Sequence, residues 1–195
     1  MKKMHVIYLV AFILLISAGC QKRVVQRVDT DKVVDLSGRW NDTDSRLVAE
    51  EMIKDVLSRP WIQRFEERNN RRPVIIIGEV KNRTHEHIDS EAFIKNLERE
   101  VINIGAVRIV QGAEFRELMR EERADQQEFA SAETMKRWRQ EIGADYMMNG
   151  TINAITDQYG KQKTVYYQVN LELSDMETNE KVWIGEKKIK KVISN

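Results

Sequence analysis

Three kinds of residue in this chain could carry chemistry: a histidine pair, a lone thiol and a large stock of carboxylates. His85-Glu86-His87 sets two imidazoles one residue apart, and on a strand such a pair can share a metal ion. No third ligand of matching type stands near it, so the triplet reads as a solvated loop. The chain has neither a G-x-S-x-G elbow nor a glycine-rich phosphate loop. Its 31 Asp and Glu residues could supply an acid–base pair, but only geometry separates such a pair from surface charge. Cys20 is the sole cysteine, which rules out an intrachain disulfide. No catalytic residue, metal site or cofactor is assigned. A formal charge of +1 with no clustered basic surface argues against nucleic acid as a partner.

Asn82-Arg83-Thr84 remains, and it has two readings. It is either a turn, with Asn82 and Thr84 bonding local backbone while Arg83 faces water, or a polar site at the carboxyl edge of a sheet. The run Arg116–Arg123 reads as a solvated helix face, with partner binding as the alternative. Trp40, Trp61, Trp138 and Trp183 each lie beside apolar positions and read as core rather than as a glycan platform.

The elements that position these residues are built around Pro73-Val74-Ile75-Ile76-Ile77-Gly78-Glu79-Val80. A continuous β-branched run after a proline predicts a strand buried on both faces in mid-sheet, with helices covering it. Upstream, Val48, Met52, Ile53, Val56 and Leu57 form a helical stripe, capped by the Asn41–Asp44 cluster and ended by Pro60. Trp61, Ile62 and Phe65 predict a short second turn. Downstream, Asp89 or Ser90 caps a helix carrying Ile94, Leu97, Val101 and Ile104, and Gly105 ends it. Ala106–Val110 is expected to be a short strand. Phe115, Leu118 and Met119 mark another helix. A further helix is expected from Ser131, burying Met135, Trp138 and Ile142 and stopping at Gly143. Asp145–Ile155 is then a strand. Val165, Tyr167, Val169, Leu171 and Leu173 alternate as a half-buried strand should. Lys187, Lys188, Lys190 and Lys191 load the last strand, Lys181–Ile189 and beyond, with the charge that protects an exposed edge. The expected fold is α/β (α+β): a single mixed sheet of about five strands flanked by about four helices.

Residues 1–19 begin with Lys2-Lys3, continue as an apolar run from Val6 to Ile16 and end in small residues before Cys20, a bacterial secretory signal. The ending resembles a lipobox, which implies that Cys20 is acylated, although Ser17 stands where leucine is usual. Gln21, rather than Asp, follows the cysteine. By resemblance to other lipoproteins this implies sorting to the outer membrane, facing the periplasm. Residues 20–35 read as a polar tether and 36–195 as the globular domain. The polar stretch from Gln21 to about Trp40, about 20 residues, reaches about 65–70 Å when fully extended.

Four stretches carry a family resemblance: Asp35-Leu36-Ser37-Gly38-Arg39-Trp40-Asn41-Asp42-Thr43-Asp44-Ser45; the strand leaving through Asn82-Arg83-Thr84; Ile142-Gly143-Ala144-Asp145-Tyr146; and the hairpin Glu177–Gly185 with Trp183. Together they resemble the LpoB family of penicillin-binding-protein activators, over about Leu36 to Lys188. The resemblance implies a fold like the N-terminal domain of TolB and a non-catalytic, monomeric regulator. Its partner would be a class A bifunctional peptidoglycan synthase, with Asn82, Arg83 and Thr84 as contacts. The best-known members carry a long proline-rich tether, and this chain departs from them in having a short one.

Two other readings fit a lipid-anchored α/β body. An accessory subunit of an envelope export machine, of the curli-secretion kind, would need spare membrane-crossing hairpins of alternating apolar residues. No spare segment of that kind is evident. A carboxylate-dependent envelope hydrolase would lose its phenotype on mutation of a single Asp or Glu.

Overall fold

Pro73 cannot donate to a ladder, and the four residues after it, Val74–Ile77, are all buried. They open β1 (Val74–Asn82), which pairs in parallel with β2 (Arg108–Ile109) on one side and with β3 (Tyr146–Tyr159) on the other. In the computed structural model, residues 25–30, 32–134 and 140–194 are described. Contacts divide the chain into two units, Met1–Lys32 and Val33–Asn195. The first shows among its described residues a single turn, closed by Lys32 N–H on the Asp29 carbonyl at 3.2 Å. Cys20 and the expected signal peptide lie outside the described residues.

The second unit holds one five-stranded sheet in the order β2-β1-β3-β4-β5, with β4 (Gln162–Asp175) and β5 (Lys181–Ser194) added antiparallel. It is therefore a mixed sheet, as expected. Helices α1 (Asp42–Leu57) and α3 (Ser90–Ile104) pack on each other; α1 also packs on β5, and α3 on β1 and β2. The alternation read from β4 is present: Val165, Tyr167, Val169, Leu171 and Leu173 are buried against the helices, while the residues between them form the opposite face. Each such side chain contributes about 1.5–3 kcal/mol.

Local chemistry sets the boundaries. Asn41 accepts from Asp44 N–H, and Asp44 accepts from Asn41 N–H, a reciprocal capping box for α1. Asp89 caps α3 through Ala92 N–H, and Gly105 ends it at φ +70°, where a side chain would be strained. The short helix α2 (Trp61–Asn69) buries Trp61 and Phe65.

Several expectations need correction. The strand at Ala106–Val110 shrinks to two residues. α4 (Ala113–Phe129) forms, but it buries none of its residues, and Phe115, Leu118 and Met119 stay 40–54% exposed. No helix follows among the described residues from Ser131: Ser131–Thr134 is a turn, Gln140–Ala144 is irregular and Ile142 is half exposed. Met135 and Trp138 lie outside the described residues. Of the other tryptophans, Trp61 and Trp183 are buried, and Trp40 packs partly buried on the core. The last strand is an edge, but its lysines divide between two faces. Lys187 pairs with Glu51 of α1, and Lys191 turns inward to Asp35 and Asp44. Period-two geometry sends 187 and 191 to the helix side, so only Lys188 and Lys190 remain on the open face.

Candidate functional site

At the end of β1, Arg83 N–H donates to the Ile152 carbonyl at 2.8 Å, the last ladder bond before the chain leaves the sheet. The turn that follows is closed by its own side chains. Asn82 Nδ2 donates to the Glu86 carbonyl at 2.8 Å, and Thr84 N–H donates to Asn82 Oδ1 at 2.9 Å. The Thr84 hydroxyl lies 2.8 Å from Asn82 Oδ1 and accepts from Glu86 N–H at 3.0 Å. Asn82 and Thr84 are half-buried and committed to the turn. Arg83 between them is exposed, and no side chain among the described residues pairs with its guanidinium. Of the three residues singled out by sequence, one is thus exposed to solvent and two hold the turn that carries it. Beside them lies an open depression of about 550 Å³, lined by Glu79, Lys81, Asn82, Arg83, Glu91 and Ile94 among others.

Glu86, which sequence reasoning treated only as the middle of a histidine pair, fastens this turn to the body. Its Oε2 accepts from the Trp40 N–H at 3.1 Å and from the Tyr167 hydroxyl at 2.7 Å. Tyr167 is fully buried; burial, together with its hydrogen bond to Glu86, pushes the phenol well above its ordinary range. The Trp40 ring meets Tyr167 and Phe93 edge-on at 5.6 and 6.2 Å. One carboxylate therefore joins the Arg83 turn, the inner face of β4 and the segment leading into α1. His85 and His87 are exposed to either side of it. Among the described residues no group of three or more His, Cys, Asp or Glu is placed to hold a metal ion.

A second clasp holds the same leading segment. Lys191 Nζ donates to Asp44 Oδ2 at 2.6 Å, Asp35 Oδ2 at 2.8 Å and the Arg39 carbonyl at 2.9 Å. Burial opposes its charge, but the bonds to Asp35 and Asp44 outweigh burial and raise its pKa. Asp35 is lowered in turn, chiefly by that bond to Lys191. The Asp35–Ser45 stretch, legible as a motif, is therefore a strap fixed at both ends.

Ile142–Tyr146 has an equally local reason. Asp145 accepts both guanidinium nitrogens of Arg71 at 2.6 and 2.7 Å and the Val74 N–H at 2.8 Å, which joins the start of β3 to the start of β1. The run Arg116–Arg123 is not simply solvated, since Arg120 and Arg123 both pair with Glu141.

A fold comparison found the C-terminal domain of LpoB from Escherichia coli, at 16% identity and a TM-score of 0.47, covering 75% of this chain and 98% of that one. The LpoB C-terminal domain from Salmonella enterica is similar at 16% identity and a TM-score of 0.36, with 67% and 93% covered. Lipoprotein GNA1162 from Neisseria meningitidis is similar at 14% identity and a TM-score of 0.41, with 62% and 83% covered. A search of curated proteins by sequence returned no match. The family model described as peptidoglycan-synthase activator LpoB matches residues 44–189, well over half of the chain, and the chain belongs to that family.

Proposed function

We propose that this chain is a non-catalytic regulator that binds a class A bifunctional penicillin-binding protein and raises its glycan-polymerising and cross-linking rates. Family membership is the observation that carries the reading, since the family is one of peptidoglycan-synthase activators. In this reading Cys20 carries the lipid, and the mature protein sits as a monomer on the outer membrane facing the periplasm. Arg83 makes the contact. Its planar guanidinium suits a carboxylate of the partner. The turn built by Asn82 and Thr84 keeps the loop ordered, so binding costs little further ordering.

The test is a photo-reactive side chain placed at position 83 in the full-length protein in its own cells. Capture of a class A synthase supports the reading. Capture of other envelope proteins only, with the class A synthases present and uncaptured, overturns it. Intact mass of the mature N-terminus tests the acylation of Cys20 separately.

A further inference from the structure

β3 does not stop where β1 does. Asn82 pairs with Ile152, and Asn153–Tyr159 runs on alone with β4 and β5, an overhang of about 23 Å at strand rise. The turn at its tip is Gly160-Lys161, with Gly160 at φ +57°. On the face away from the helices, register places Ile155 beside Tyr166 and Lys190, then Asp157 beside Thr164 and Val192, then Tyr159 beside Gln162. Ile155, Tyr159 and Val192 are 65%, 92% and 69% exposed, an unusual concentration of bare apolar surface on one end of a sheet. Among the described residues Lys161, Lys163 and Lys190 form no ion pair here, and Asp157 is the carboxylate of the open face, while on the helix side Lys191 is balanced by Asp35 and Asp44.

The strap leaves the body at this same end. Gly38 lies so close on Ile193, in the row beside Lys163, that a Cβ there would fall 2.4 Å from Ile193 Cγ1. Lys191 holds Asp35 and Arg39 next to it, and Leu36 is almost fully exposed between them. Asp35–Arg39, near the start of this unit, therefore lies beside the apolar, basic tip.

We propose that the β3–β4 tip, with Ile155, Tyr159, Lys161, Lys190 and Val192, is a contact surface for a bilayer containing anionic phospholipid. The chemistry fits a membrane interface. Tyrosine settles with its ring among acyl chains and its hydroxyl at the headgroups, and lysines reach past buried stems to phosphates. Lys161 and Lys190, which form no ion pair among the described residues, favour an anionic surface. The body then docks at the membrane end-on, by the end at which Asp35–Arg39 is clasped. This inference builds on the reading of Cys20 as the anchored residue, but the test below does not require acylation.

The experiment uses the full chain with Cys20→Ser, which removes the only native thiol, and an environment-sensitive fluorophore at Tyr159→Cys or, as control, at Gln63→Cys on exposed α2. Vesicles are phosphatidylcholine with or without 30% phosphatidylglycerol, about 30% being a working anionic fraction. The label at 159 is expected to be shielded on anionic vesicles and the label at 63 to remain in water. Lys161→Gln with Lys190→Gln should weaken that shielding on the order of thirtyfold in lipid concentration, about fivefold for each charge. A label at 159 as exposed as the one at 63, or shielding indifferent to the two lysines, overturns the proposal. Shielding that grows with protein concentration in the absence of vesicles also overturns it, in favour of self-association. Acyl mass on Cys20 with no shielding at 159 would separate a failure here from a failure of the anchoring reading.

Discussion

Glu86→Ala is the most informative single substitution in this protein. One oxygen of Glu86 accepts from the Tyr167 hydroxyl at 2.7 Å and from Trp40 N–H at 3.1 Å. Truncation leaves both donors without an acceptor. A buried donor left unpaired costs about 1–3 kcal/mol, and Tyr167 is fully enclosed while the Trp40 amide is only partly so. The loss should therefore be about 3 kcal/mol, a fall in Tm of about 6–12 °C for a domain of this size. The assay is chemical denaturation of the variant, of Tyr167→Phe and of the double variant. Tyr167→Phe alone should cost about 1–2 kcal/mol; on the Glu86→Ala background it should cost close to nothing, because the hydroxyl has already lost its partner. Amide exchange should rise together at Trp40 and across residues 82–87. Additive losses, or faster exchange at the turn with Trp40 unchanged, would refute the idea that one carboxylate joins the strap, the sheet and the Arg83 turn.

Other perturbations test the remaining clasps. Lys191→Met strands Asp44, whose side chain is only 10% exposed, and should cost about 3 kcal/mol in thermal or urea unfolding, with Asp44→Asn in the same chain restoring at least half. On pH, burial raises Asp145, but its bonds to Arg71 and Val74 outweigh burial and hold its folded pKa below the ordinary 3.8. Its contribution is therefore complete above that value and is lost as pH falls through the lowered one. Asp145→Asn should flatten the acid limb of the stability profile and leave its shape near neutrality unchanged. Among glycines in the sheet, Gly150→Ala would set a Cβ 2.4 Å from the Asn170 carbonyl, a backbone atom that cannot move aside, and should cost about 2–3 kcal/mol. Gly78→Ala meets side chains alone, those of Asn149 and Met147, and melting curves should show a smaller loss.

What could be read from the chain in advance follows the range of the forces involved. Caps are local, so a cap within Asn41–Asp44, one at Asp89 or Ser90 and the stop at Gly105 are legible, and so is the alternation of β4, since a half-buried strand writes its burial into every second residue. The β-branched run of β1 announced a strand with neighbours on both sides. Glu86 was not legible, because its partner Tyr167 lies 81 positions away and a carboxylate between two histidines carries no mark of burial. Lys191 was read as edge protection from composition. Its period-two position already pointed it inward, but nothing in the sequence said that Asp35 and Asp44 would be waiting there. At its described ends, 131–134 and 140–143, the helix expected after Ser131 is not formed, and the apolar residues of α4 stay exposed. Both expectations were drawn from apolar spacing alone, and spacing shows which side chains share a face without showing whether another element covers that face. For Asn82-Arg83-Thr84 the geometry is that of the turn reading: Asn82 and Thr84 bond within the turn, and Arg83 faces water.

Activation of a synthase is tested by glycan-strand synthesis by a purified class A penicillin-binding protein of the same cell, with and without this protein. The rate should rise, saturate with added protein and need a higher concentration to saturate when Arg83 is replaced by Glu. An unchanged rate at saturating protein, with every class A synthase of that cell tried, would contradict activation.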